Sequence, residues 1–161
     1  GGGPRREGRP AGMTDTLTQV AFFHEAFGLP VVSHPSIPSD DRVALRLRLI
    51  DEEYKEVRSE LTNILEKQRY GHEISGQSQR LADLAKELSD LVYVINGCAL
   101  EFGLPLNDVF AEVHRSNMSK LGADGKPVRR DDGKVLKGPN YREADILGIL
   151  GVADSTAEED A

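Results

Sequence analysis

The chain has 161 residues, a formal net charge of −7, 39% hydrophobic and 29% charged residues, and a single cysteine, Cys98. That length suits one domain around one core, and a lone cysteine excludes a disulfide framework or a thiolate zinc site and fits a reducing cytoplasm. The acidic balance argues against a nucleic-acid partner, no apolar run approaches the roughly 20 residues of a membrane span, and Gly1–Gly12, rich in Gly, Arg and Pro, lacks the apolar stretch of a secretory signal.

Residues 1–13 read as a disordered extension or expression remnant, with Met13 as the natural start. Thr14 to Phe27 has the period of a helix, with Leu17, Val20, Phe23 and Phe27 on one stripe. Gly28-Leu29-Pro30 stops it, and Pro35 and Pro38 keep the next stretch extended. Ser39 or Asp40 can cap a second helix, from about Asp41 to Lys67. Along it Val43, Leu47, Ile50, Tyr54, Val57, Leu61 and Ile64 alternate in steps of four and three, the strongest periodic signal in the chain.

A loop from Tyr70 to Gln77 follows. Ser78 can cap a third helix running to about Phe102, with Leu81, Leu84, Leu88, Leu91, Val92 and Ile95 on a wide apolar face. Gly103-Leu104-Pro105 breaks it, and a fourth helix spans about Pro105 to Lys120. Val128–Arg130 and Val135–Lys137 flank Asp132-Gly133, a two-residue hairpin signal. Tyr141 to Leu150 reads as a last short helix, and 151–161 as a flexible acidic tail. The expected fold is all-α, of antiparallel four-helix bundle type, in one domain over 14–150 with a small C-terminal β-hairpin appendage.

Two acidic clusters sit on the long helices. Glu52, Glu53 and Glu56 form E-E-x-x-E, and Glu87 and Asp90 form E-x-x-D. Residues three or four apart are neighbours on a helix, and like charges there repel. Both clusters straddle apolar seams on helices joined by a loop short enough for antiparallel packing, so the carboxylates would converge. Converged carboxylates pay repulsion and desolvation unless cations join them. Oxygen-only ligation suits magnesium, with manganese as the alternative, and magnesium points to phosphate chemistry. A solvated acidic face is the alternative reading.

The charge is uneven. Lys120 to Arg142 holds seven basic and three acidic residues, a local net of +4, so the remainder carries −11. Asn117 and Lys120 share a face at the end of the fourth helix and could grip a phosphate or sugar; cations favoured there by the helix dipole are the alternative. His24, His34, His72 and His114 have no ligand spacing, and no P-loop is present.

The paired motif on successive long helices resembles the signature of the MazG-like all-α nucleoside triphosphate pyrophosphohydrolases, a superfamily with the dimeric dUTPases, dCTP pyrophosphatases and phosphoribosyl-ATP pyrophosphatase. Phe23-His24-Glu25-Ala26-Phe27-Gly28, Ser116-Asn117-Met118-Ser119-Lys120 and Asp132-Gly133-Lys134-Val135-Leu136-Lys137-Gly138-Pro139 resemble its small single-domain branch. The resemblance covers roughly Thr14 to Leu150. Thirty residues separate Glu56 from Glu87, slightly more than is usual there, and a longer loop absorbs the difference.

The resemblance implies α–β phosphate cleavage of a (deoxy)nucleoside triphosphate to the monophosphate and pyrophosphate, in the cytoplasm, as house-cleaning of the nucleotide pool. Glu53, Glu56, Glu87 and Asp90 would hold magnesium, and Glu53 and Glu52 would be catalytic, with Glu52 as general base or supporting carboxylate. Asn117, Lys120, Lys134 and Lys137 would contact substrate, and a homodimer or dimer of dimers is expected. Phosphoribosyl-ATP hydrolysis and a non-enzymatic helical interaction module are the competing readings.

Overall fold

The computed structural model describes residues 15–70 and 76–152. The expected N-terminal extension, nearly all of the acidic tail and most of the inter-helix loop lie outside them. Among the described residues there are five helices: α1 Thr16–Ala26, α2 Asp40–Arg69, α3 Gln77–Glu101, α4 Leu106–Met118 and α5 Ile146–Leu150. The all-α expectation stands. None of these helices is long and apolar enough to cross a membrane.

Local chemistry sets the helix ends. Asp15 caps α1, its Oδ1 accepting from the Thr18 amide at 2.9 Å. α1 ends with Gly28 at φ +66, where the Gly28 amide donates to Glu25 O at 3.3 Å and the Leu29 amide to His24 O at 2.7 Å. α3 repeats this ending: Gly103 sits at φ +64, its amide donates to Leu100 O at 3.3 Å, and Leu104 donates to Ala99 O at 2.9 Å. Both are Schellman closures, and in each a proline follows that cannot continue the helix. Gly-Leu-Pro thus encodes the same stop twice.

Ser39 is the N-cap of α2 but makes no side-chain cap bond; Asp40 and Asp41 in the first turn favour the helix dipole instead. Ser78, expected as a cap, lies within the first turn of α3.

Contacts divide the chain into two compact units. The first holds residues up to 31 and 39–98: α1, α2 and most of α3. Within it Phe23 stacks on Phe27 at 4.3 Å between ring centroids and meets Tyr93 of α3 edge-on at 5.5 Å. His24 is buried, with Nδ1 2.8 Å from Pro30 O. Gly97 lets α3 approach this corner, because a Cβ there would lie 2.6 Å from an Arg46 guanidinium nitrogen and 3.1 Å from His24 Nε2.

The second unit holds 32–38 and the chain from 99 onward. The 32–38 loop lies along the end of α3, with Val32 donating to Leu100 O at 2.9 Å and Ser36 to Phe102 O at 3.0 Å. Here α4 packs on α5. Neither unit by itself holds four helices of a bundle, since α4 belongs with α5 and not with α1 and α2.

The expected hairpin is not formed as a pair of strands among the described residues. Two isolated antiparallel bridges stand in its place, Leu121 with Pro127 and Arg129 with Val135. Its turn also differs. Gly133, at φ +84, donates to Arg130 O at 2.8 Å, and Arg130 donates to Lys134 O at 2.9 Å, so three residues form the connection and not two. A like turn precedes it: Gly125 at φ +74 donates to Gly122 O at 2.9 Å, and Gly122 to Lys126 O at 2.7 Å. In both turns an aspartate accepts from the amide two residues on, Asp124 from Lys126 at 3.0 Å and Asp132 from Lys134 at 3.1 Å. Two closures in so short a segment leave no run long enough for a ladder.

The last helix is shorter than expected because α4 holds the chain before it. Ser116 donates to Arg142 O at 2.8 Å, Arg142 donates to Ser119 Oγ at 2.9 Å, and Arg115 donates to Glu143 O at 2.9 Å. These bonds fix an extended approach, and the Asp145 side chain then caps α5 by accepting from Gly148 at 2.9 Å.

Candidate metal and phosphate site

In the first unit, Glu53 of α2 meets Glu87 and Asp90 of α3, with carboxylate oxygens of all three within 4.8 Å of one another. Helical spacing places them. Glu87 and Asp90 lie one turn apart on α3, and Glu53 projects between the apolar positions Ile50 and Val57 of α2 toward that helix.

The three are half-buried, and the electrostatics record the crowding. Burial pushes the Glu53 carboxyl above its ordinary 4.5, and the Asp90 and then Glu87 charges push it further; Lys86 opposes this. The Lys86 ammonium lies 2.7 Å from Asp90 Oδ2 and 3.2 Å from Glu87 Oε1. Those two hydrogen bonds, Asp90 first, hold the Lys86 pKa well above the ordinary lysine value. Lys55, the other nearby lysine, pairs with Asp51 at 2.6 Å on the exposed face.

Of the four expected ligands, the structure brings three together. Glu56 is exposed and outside the close group, although its charge also raises the Glu53 pKa. Glu52 is exposed. Three converging carboxylates are a hard, all-oxygen donor set suited to a divalent cation of the magnesium type.

The expected substrate residues belong to the second unit. Lys120 Nζ donates to Asn117 Oδ1 at 2.8 Å, so the two do share a face. The Lys120 carbonyl accepts from Gly138 at 3.0 Å, which ties the end of α4 to the start of the last segment. Gly138 fits because a Cβ would lie 2.4 Å from Leu121 O. Lys137 Nζ lies 4.3 Å from the centroid of the Tyr141 ring. Lys134 is exposed on the second turn.

Two features of this chemistry escaped the sequence reading. Lys86 stands four residues before Asp90, a helical ion-pair spacing that could have pointed to it. Asp124-Gly125-Lys126 repeats Asp132-Gly133-Lys134 eight residues earlier, a signal present in the sequence.

No curated protein matches the chain. Among solved structures, a "putative NTP pyrophosphohydrolase" from Exiguobacterium sp. 255-15 is 24% identical, covers 82% of this chain and 90% of its own, and superposes with a TM-score of 0.43. The family model of phosphoribosyl-ATP pyrophosphohydrolase matches residues 20–117, a stretch containing both acidic motifs and ending at Asn117. The chain therefore belongs to that family, within the MazG-like pyrophosphohydrolase superfamily, and is an enzyme that hydrolyses a phosphoanhydride bond of a nucleotide.

Proposed function

We propose that the protein is a magnesium-dependent nucleoside triphosphate pyrophosphohydrolase that converts a (deoxy)nucleoside triphosphate and water to the monophosphate and pyrophosphate. The convergence of Glu53, Glu87 and Asp90 carries this reading. In it these three hold the cation, with Glu56 as a fourth ligand that turns inward from its exposed position one turn along α2. A hard divalent cation there supplies neutralisation of phosphate charge and a lowered pKa for the attacking water. Glu52 accepts the proton released by that water, at a carboxylate oxygen. Asn117, Lys120, Lys134 and Lys137 bind sugar and phosphates, their charges matching a polyanion. House-cleaning of the cytoplasmic nucleotide pool is the role this activity suits.

A homodimer belongs to the same reading. Leu47 is 70% exposed, Tyr54 52% and Leu61 50%, at heptad spacing along α2, and Leu81, Leu88, Val92 and Ile95 are exposed on α3. Such seams are stable when another helix pair covers them, and a second copy's α2 and α3 would complete a four-helix bundle.

The test is a panel of ribo- and deoxyribonucleoside triphosphates, with phosphoribosyl-ATP included, assayed with magnesium and scored for pyrophosphate against orthophosphate. Pyrophosphate release from triphosphates, abolished by chelator, is the expected result. Orthophosphate release, or full turnover in chelator, overturns it. The matched family's description favours phosphoribosyl-ATP as the second reading, and turnover confined to that compound would establish it.

A further inference from the structure

Lys86 lies among the very oxygens the proposed cation would need. Its ammonium is 2.7 Å from Asp90 Oδ2 and 3.2 Å from Glu87 Oε1, while Glu53 closes the group from α2. The lysine side chain is 66% exposed, so those two charge-assisted bonds, and not packing of its stem, hold it there. Three carboxylates this close repel, and a monovalent cation between two of them offsets part of that cost.

We infer that Lys86 is a resident counter-cation of the cluster: it satisfies Glu87 and Asp90 in the metal-free protein, and a divalent cation must displace it to bind. This rests on the metal-site reading above. Lys86 competes twice, by occupying donor oxygens and by repelling an incoming ion. It therefore lowers the affinity of the cluster for metal alone and keeps the metal-free carboxylates in their converged arrangement. A displaced Lys86 ammonium remains charged and needs a new anion. A cation that arrives with a polyphosphate brings one, so binding of metal with nucleotide is favoured over binding of metal alone.

The experiment is isothermal titration of nucleotide-free protein with magnesium and with manganese, for the wild type, Lys86→Met and Lys86→Arg. Circular dichroism of each variant checks that helical content is kept. Lys86→Met is expected to bind metal about three- to tenfold more tightly, the sum of two exposed ion pairs of ordinary strength. Lys86→Arg, which keeps the charge, should bind metal no more tightly than the wild type. Adding a non-hydrolysable triphosphate should tighten metal binding more in the wild type than in Lys86→Met. Equal or weaker binding by Lys86→Met, with the wild type binding normally, overturns the role of Lys86 and leaves the metal site standing. Arginine behaving like methionine overturns it too, since charge would then not be the cause. No binding by any of the three proteins removes the metal site itself.

Discussion

Neutralising Glu53 should change the sign of its effect on stability according to whether metal is present. Glu53 faces Glu87 and Asp90 with oxygens within 4.8 Å, so each like-charge pair costs about 0.9 kcal/mol even at the dielectric of water. Salt and Lys86 offset part of the sum. Glu53→Gln should then recover about 1 kcal/mol in chelator, or about 2–4 °C in Tm for a chain of this size. With a cation at about a hundred times its Kd, the wild type gains about 2.7 kcal/mol, or about 5–11 °C. The variant, lacking an anionic ligand, should lose most of that gain, so the order of melting temperatures reverses.

The pH dependence follows from the raised carboxyl pKa of Glu53. Its ionised form costs stability above the folded-state pKa, and the cost is gone below the ordinary value of 4.5. The gap between variant and wild type in chelator should therefore close as pH falls through that window. Thermal melts by circular dichroism with chelator and with magnesium, between pH 8 and 4, provide the measurement. Equal melting temperatures in chelator, together with an undiminished metal shift in Glu53→Gln, would refute the account of three interacting carboxylates.

Three further outcomes are expected. Glu112 accepts from Arg115 Nε at 2.8 Å and from the Asp145 amide at 3.0 Å, and its pKa is held down to about 2. Its contribution is full above 4.5 and lost as pH falls through about 2, so Glu112→Gln should raise amide exchange in 143–150 at neutral pH, and the difference from wild type should shrink as pH falls from 4.5 toward 2. Leu47→Glu and Leu61→Glu alter side chains already half or more exposed, so they should shift light-scattering mass from dimer to monomer without loss of helix; a wild-type monomer at micromolar concentration would contradict the dimer. Gly103→Ala puts a Cβ 2.1 Å from His34 O, whereas at Gly28, with nearly the same φ, nothing lies within 4 Å. The first should cost about 2–4 kcal/mol and the second about 1 kcal/mol in denaturant melts, and equal costs would mean that backbone strain alone governs both.

The four long helices were legible because their signals are local. The heptad run Val43–Ile64, Asp40 and Asp41 at a helix start and the two Gly-Leu-Pro stops each act within a turn or two of the chain; α2 starts at Asp40, and α1 and α3 end two residues before their Gly-Leu-Pro glycines. The turns were harder. Asp132-Gly133 suggests a two-residue loop, but an aspartate that accepts from the Lys134 amide favours the three-residue form. The shortened last helix was not legible, because residues 141–145 are set by bonds to α4 from side chains more than twenty positions earlier.

The acidic site was legible for a related reason. Two i, i+3 carboxylate pairs each announce one face of one helix, and the apolar seams beside them state which faces meet. What the spacing does not carry is rotation at the point of contact. Glu53 and Glu56 straddle the same seam, yet only Glu53 joins Glu87 and Asp90 in the close group, and Glu56 acts on Glu53 through its charge. Lys86 lies four residues before Asp90, so helical spacing allows their ion pair, but it does not give the second bond of the ammonium to the adjacent Glu87. A helix that presents two carboxylates to a second acidic helix is stabilised by a cation at neutral pH, and Lys86 of the same helix supplies one. The lysine is thus explained by the same repulsion that makes the cluster a candidate for metal. Measuring whether metal and Lys86 exclude one another therefore tests the physical premise of the site independently of its substrate.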